Sequence, residues 1–169
     1  MEGESTAPTL HGMPALAVAI ESMLACWEEL QPLATAHWDE VVHEAGHRAR
    51  LDREAFAAAE AKDRLLFLTA RDAGRLVGYV VILIVQHPHA TGMRVAEVNG
   101  LYLQPEYRLG RNAQELVGFA HATLREQGVD LIYQASRVNH DLSPLFLSMG
   151  YQASEILWCK HLHPTKREE

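Results

Sequence analysis

Arg108 and Arg111 bracket Gly110 in the segment Tyr107-Arg108-Leu109-Gly110-Arg111-Asn112-Ala113, and an amphipathic stretch begins directly after it. That pattern suits an anion. A helix start leaves backbone N–H groups without intrahelical partners, and the helix dipole adds partial positive charge at the same end. The two guanidinium groups raise the charge further, and Gly110 permits a turn that a Cβ would obstruct. Upstream, Glu97 and Asn99 stand two residues apart in an apolar stretch that reaches Leu103. The period of two places both on one strand face. An oxygen base and an amide thus precede a site for a phosphorylated ligand.

The surrounding elements must hold that turn. Val95 to Leu103 reads as a strand. Ala113, Leu116, Val117, Ala120 and Leu124 recur at helical spacing after it, with Asn112 as the expected N-cap, Glu115 as its capping partner and Gly128 as the stop. Leu131 to Ala135 reads as a short strand, Leu142 to Met149 as a short helix, and Glu155 to Leu162 as a last strand. Earlier, Pro14 to Leu30 carries a helical pattern that Pro32 is expected to interrupt. His37 to His47 is a second expected helix, with Trp38, Val41, Val42 and Ala45 on one face. Arg53 to Lys62 is a third, capped by Asp52. Arg64 to Arg71 and Leu76 to Gln86 are strand-like runs joined by Asp72-Ala73-Gly74-Arg75, a hairpin signal. Gln86 to Gly92 is a loop. Residues 1–11 read as a loose arm, with a short strand expected around Thr9, and 163–169 as a polar tail. The expected architecture is a single α+β domain over 1–169, a mixed central β-sheet flanked by helices.

Arg108-Leu109-Gly110-Arg111-Asn112-Ala113 resembles the pyrophosphate-binding signature of the GNAT superfamily of N-acetyltransferases. The usual form is Arg or Gln, two residues, Gly, one residue, then Gly or Ala. Arg108 and Ala113 fit it, Arg111 stands at the middle Gly, and Gly110 comes one residue early. This variant resembles a phage- and prophage-encoded branch. Asn139 followed by Leu145-Phe146-Leu147-Ser148-Met149-Gly150-Tyr151 is similar to a second block of the family, and the likeness runs from about Leu65 to Leu162.

The resemblance implies acetyl-CoA as co-substrate and strands splayed apart at its site. Backbone groups near Leu101, Tyr102 and Leu103 would meet the pantetheine arm, and Arg108 to Ala113 the pyrophosphate. Asn139, Ser143 and Phe146 would complete the cofactor side. Glu97 is implied as general base toward an acceptor amine, with Asn99 orienting the amine or a water. Many members carry a Tyr where this chain has Phe146, as acid toward the leaving thiolate. A phenyl ring donates no proton, so Ser143 or Tyr133 would substitute, or the thiolate would leave unassisted.

A second motif competes. His43-Glu44-Ala45-Gly46-His47 matches the His-Glu-x-x-His zinc pattern. At about 100° per residue, His43 and His47 fall about 140° to 180° from Trp38, away from the apolar stripe. No third ligand with a recognisable spacing follows, so no metal is expected. A zinc hydrolase and a non-catalytic CoA-binding module are the alternatives to an acetyltransferase. His87 and His89 are expected in a loop or acceptor pocket, and Cys159 in the core.

Composition sets the remaining bounds. At 169 residues the chain can bury a substantial core. Cys26 and Cys159 make no disulfide framework, so a reduced, cytoplasmic protein is expected. No apolar run is long enough to span a membrane. A net charge of −7 argues against general nucleic-acid binding and suits a cationic amine. A homodimer is a further expectation from the resemblance.

Overall fold

The computed structural model describes residues 15–41, 50–160 and 162. The elements run β1 (Ala17–Ile20), α1 (Trp27–Val41), α2 (Arg53–Glu60), β2 (Leu65–Asp72), β3 (Arg75–Gln86), β4 (Arg94–Leu103), α3 (Asn112–Glu126), β5 (Leu131–Gln134) and α4 (Ser143–Ser148). A short 3-10 turn, Pro105–Tyr107, links β4 to α3. The five strands lie in sequence order in one sheet. β1 to β4 are antiparallel neighbours. β4 and β5 are parallel, joined through α3. The fold is therefore α+β with a mixed sheet, as expected.

Local chemistry explains the central part. Ala73 and Gly74 form a two-residue hairpin loop with φ of +46° and +87°, both positive, as the tightest hairpin turns require. α3 ends where Gly128 takes φ of +70°. There the Gly128 N–H donates to Arg125 O and the Val129 N–H to Leu124 O, both at 3.0 Å, the paired bonds of a Schellman cap. Leu116, Val117, Ala120 and Leu124 are buried as their spacing predicts. They meet Leu68, Val80 and Ile82 on one sheet face. On the other face Trp27, Leu30 and Leu33 of α1 cover Phe67, Tyr79, Val81 and Tyr102.

Several expectations change. The helix expected over Pro14 to Leu30 is instead β1, a turn, and then α1, which runs through Pro32. An internal proline costs a helix about 3 kcal/mol. Trp27 and Leu30 before it, and Leu33 and Ala34 after it, are all buried, and their burial outweighs that cost. His37 to Val41 thus completes α1 rather than opening a new helix. Residues 42–49 lie outside the described residues, as do the arm, the segment around Thr9 and the tail 163–169. The strand expected at Glu155 to Leu162 does not form. Residues 151–160 are irregular, and Trp158 is 86% exposed. β5 has only four residues, an edge too short to repay the ordering of that segment. Cys159 is accordingly exposed, not core.

Arg71 ties β2 to the start of α1. It donates to Glu21 Oε1 at 2.8 Å and Oε2 at 3.1 Å, to Glu29 Oε2 at 2.8 Å, and to Gly74 O at 2.8 Å. Thr69 Oγ1, buried in β2, also donates to Glu21. Hydrogen bonds from Arg71 hold the Glu21 carboxyl down to about 2, against an ordinary 4.5. A depressed carboxyl stabilises the fold above its unfolded pKa and loses that contribution as pH falls through its folded one. Arg71→Met should therefore cost about 2 kcal/mol at pH 7, by removing charged hydrogen bonds. The gap between mutant and wild-type urea midpoints should close as pH falls from 4.5 toward 2. A gap independent of pH would contradict this account.

Candidate active site

β4 changes partners part-way along. Its parallel pairing with β5 ends at Val98 opposite Gln134. From Asn99 to Leu103 that edge of β4 has no strand beside it among the described residues. On the other edge, Val81 pairs with Gly100 and Ile82 with Val98, which leaves Asn99 as an extra residue. This is a β-bulge, and it re-aims the side chains beyond it. Val98 and Leu101, three residues apart, both pack on the α3-side core. Strict alternation would put them on opposite faces. Glu97 is exposed on the α1 side, and Asn99 donates from Nδ2 to Glu97 O at 3.1 Å. The side chains of Tyr102 and Leu103 are buried, so a ligand along this edge meets their backbone.

The turn after β4 is anchored on three sides. Tyr107 donates its hydroxyl to Asp72 Oδ2 at 2.7 Å and accepts from Arg75 Nη2 at 2.8 Å, which pins the turn to the β2–β3 hairpin. Asn112 Nδ2 donates to Tyr107 O at 3.1 Å, which pins it to α3. Asn112 is thus a buried brace, and Arg111, not Asn112, is the N-cap residue of α3. The cap shifts because the Asn112 side chain already serves the turn. Gly110 takes φ of +73°, a conformation disfavoured for any residue with a Cβ. Leu109, Gly110 and Arg111 are exposed, and Ala113 is half-buried.

Arg108 is engaged within the protein at all three guanidinium nitrogens. Nε donates to Leu103 O at 2.7 Å, and Nη1 and Nη2 donate to Glu40 of α1 at 2.5 and 2.7 Å. The guanidinium also lies 5.3 Å from the centroid of the Tyr102 ring. Glu40 is held below its ordinary pKa by the Arg108 hydrogen bonds, and Arg108 is raised. The two arginines therefore differ. Arg108 joins β4, the turn and α1, whereas Arg111 stays exposed at the helix start.

An aromatic group lies over the bulge on the α1 side. His37 Nδ1 is 2.8 Å from Tyr79 Oη. The His37 ring stacks on Tyr102 with centroids 5.0 Å apart. A methyl on Gly100 would come within 3.2 Å of Tyr79 Cε2 and 3.9 Å of His37 Cε1. Glycine is what lets these rings approach the strand so closely. Burial pushes His37 down to about 4, and burial also raises the Tyr79 phenol. No local pattern signals this group, since its members come from α1, β3 and β4.

The α3 side differs. A narrow cleft of only about 10 Å³ lies between Val98, Leu101, Ile132, Gln134, His121 and Tyr151. His121 Nε2 and Tyr151 Oη are 2.8 Å apart. Phe146 is buried against Tyr151, with ring centroids 5.4 Å apart. The Ser143 N–H donates to Asp141 Oδ1 at 2.9 Å at the start of α4. Asn139 makes only a long contact, 3.5 Å, to Val41 O. Tyr133 lies in β5 opposite Glu97. Among the described residues, no group of three or more His, Cys, Asp or Glu side chains is arranged to hold a metal ion. His43, Glu44 and His47 lie outside them.

The sequence profile of the Acetyltransferase (GNAT) family matches residues 26–151, most of the chain. The chain belongs to the GNAT acetyltransferase family. No curated protein matches it in sequence. Among solved structures, a ribosomal-protein-alanine N-acetyltransferase from Brucella melitensis biovar Abortus 2308 superposes with a TM-score of 0.71 at 22% identity, covering 89% of this chain and 99% of that one. An aminoglycoside acetyltransferase from an uncultured soil metagenomic sample, in complex with sisomicin, gives 0.69 at 15%, covering 88% and 95%. A predicted acetyltransferase with acetyl-CoA from Clostridium acetobutylicum gives 0.68 at 17%, covering 88% and 100%. At these identities the likeness is one of fold.

The open β4 edge and the glycine turn of this GNAT chain fit acetyl-CoA, the donor its family uses. An extended pantetheine arm can meet free strand backbone, and a pyrophosphate can meet the α3 start. Removing Arg108 tests its structural part. Arg108→Ala leaves Glu40 without its cation and should lower stability by about 1–2 kcal/mol, read as a lower melting temperature. An unchanged melting temperature would show that the Arg108–Glu40 link holds nothing together.

Proposed function

We propose that this GNAT protein transfers the acetyl group of acetyl-CoA to a primary amine by direct attack in a ternary complex. The observation that carries the reading is the free β4 edge from Asn99 to Leu103, which leads straight into the Gly110 turn and the start of α3. Pantetheine along that edge brings the thioester to the bulge, where backbone N–H groups can polarise its carbonyl. The Arg111 guanidinium and the α3 N–H groups then receive the pyrophosphate.

The acceptor approaches from the α1 face. Glu97 is exposed there, two residues before the bulge, and relays the first proton of the incoming ammonium toward solvent. Asn99 steers the amine or a water. A covalent acetyl-enzyme has poor support. Cys26 is buried with its thiol pushed up to about 11, by burial and by Glu21, so it is not a thiolate at neutral pH. Phe146 offers no proton to the leaving thiolate. A coenzyme A thiol is acidic enough to leave without one, and Ser143 and Tyr133 are the sequence candidates to help.

Two of the structural neighbours named above are named for different acceptors, a ribosomal-protein alanine and an aminoglycoside, so the acceptor test uses a panel. A peptide with a free N-terminal alanine, spermidine and kanamycin cover a protein terminus, a polyamine and an aminoglycoside. A net charge of −7 favours cationic acceptors. Thiol release from acetyl-CoA should rise with at least one of them. Coenzyme A that fails to bind by calorimetry would refute the reading.

Two variants separate the roles. Arg111→Glu should weaken coenzyme A binding about tenfold, on the order of 1.4 kcal/mol, with the melting temperature unchanged. Glu97→Gln should lower kcat/KM by about tenfold or more near neutral pH. That loss should shrink at high pH, where the amine is already neutral. A Glu97→Gln enzyme with the wild-type profile would remove Glu97 from the mechanism.

A further inference from the structure

Acetylation of a primary amine releases two protons from nitrogen. The first leaves the ammonium before attack. The second leaves after the N–C bond has formed, when the nitrogen of the tetrahedral adduct is positively charged and far more acidic than the free ammonium. A weak base suffices for that second transfer, provided it is neutral, shielded and close to the adduct. Exposed Glu97 matches the first task only.

We propose that His37 takes the second proton, through Nε2, with Tyr79 as its positioning residue; this rests on the acetyltransferase reading above. Four observations on the α1 side carry it. Cε1 of His37, the ring atom next to Nε2, lies 3.9 Å from where a Gly100 methyl would stand, directly over the bulge. Nδ1 is held at 2.8 Å by Tyr79 Oη, while no described residue hydrogen-bonds Nε2. Stacking on Tyr102 fixes the ring plane. Finally, burial keeps the imidazole neutral throughout the range in which acetyl transfer is assayed.

In the tautomer that acts, the proton is on Nδ1, donated to Tyr79 Oη, and the Nε2 lone pair is free to accept. The charged and titratable groups around the ring are the Glu40–Arg108 ion pair, His140 and Arg137. Glu40 favours the imidazolium, whereas the other three oppose it. The step balances. The acceptor nitrogen bonds to the acetyl carbon, the C–S bond breaks, and the sulfur leaves with its electron pair. The nitrogen proton passes to His37 Nε2 and is then given to the thiolate through water, which restores the neutral ring.

The experiment compares wild type, His37→Gln and Tyr79→Phe with acetyl-CoA and the best acceptor of the panel. If none of the three amines reacts, the ring-tautomer measurement below decides the question. His37→Gln should lose about 10²-fold in kcat, with KM for acetyl-CoA and the melting temperature unchanged. Unlike the Glu97→Gln loss, this one should persist at high pH, because it follows N–C bond formation. Tyr79→Phe should lose less. A second arm needs no turnover: ¹⁵N NMR of the His37 ring should show the neutral form at pH 6, with the proton on Nδ1. Wild-type kcat in His37→Gln, a loss confined to KM, or a proton on Nε2 would overturn the proposal. Failure of coenzyme A to bind wild type would instead strike the acetyltransferase reading itself.

Discussion

A β-strand can satisfy neighbours on both edges, and β4 ceases to do so after Val98. The active-site architecture depends on that change. β5 can run parallel to β4 only through a crossover, and α3 supplies it, so the helix start is placed at the far end of the same strand whose edge is open. The bulge at Asn99 turns Leu101 into the α3-side core and leaves Gly100 toward α1. One irregularity thus creates a free backbone edge, a flat approach for aromatic rings and two chemically different faces.

The two faces are built with different chemistry. Toward α3 the walls are Val98, Leu101, Ile132 and the Phe146–Tyr151 pair, apolar apart from His121, Gln134 and the tyrosine hydroxyl. Toward α1 they are Glu97, Asn99 and His37, with the Glu40–Arg108 pair behind. An apolar wall suits a thioester and excludes water from it, while the polar wall suits proton movement. Gly100 stands between them.

What the sequence revealed was what short-range physics decides. The Ala73-Gly74 hairpin loop, the apolar face of α3, the Asp52 cap and the Gly128 stop each follow from a few adjacent residues. The glycine-containing basic turn is of the same kind. Long-range packing decided the rest. Pro32 remains helical because Leu30 and Leu33 are buried on the sheet. Residues 155–160 have strand-like side chains but stay irregular. Arg108 looked like the twin of Arg111 until α1 brought Glu40 to it, across 68 positions. His37 and Tyr79 meet across 42 positions, with Gly100 a further stretch away. No local pattern encodes that meeting.

The Arg108–Glu40 pair makes the two sides of the site thermodynamically aware of each other. One end belongs to the turn that opens α3, and the other to the helix that carries His37. Any anion that took hold of the Arg108 guanidinium would compete with Glu40 for it, so its binding and the seating of α1 would be coupled. Linkage is reciprocal: whatever orders α1 changes the affinity of the turn by the same factor. A single bidentate contact between two elements distant in the chain therefore couples the turn to the helix.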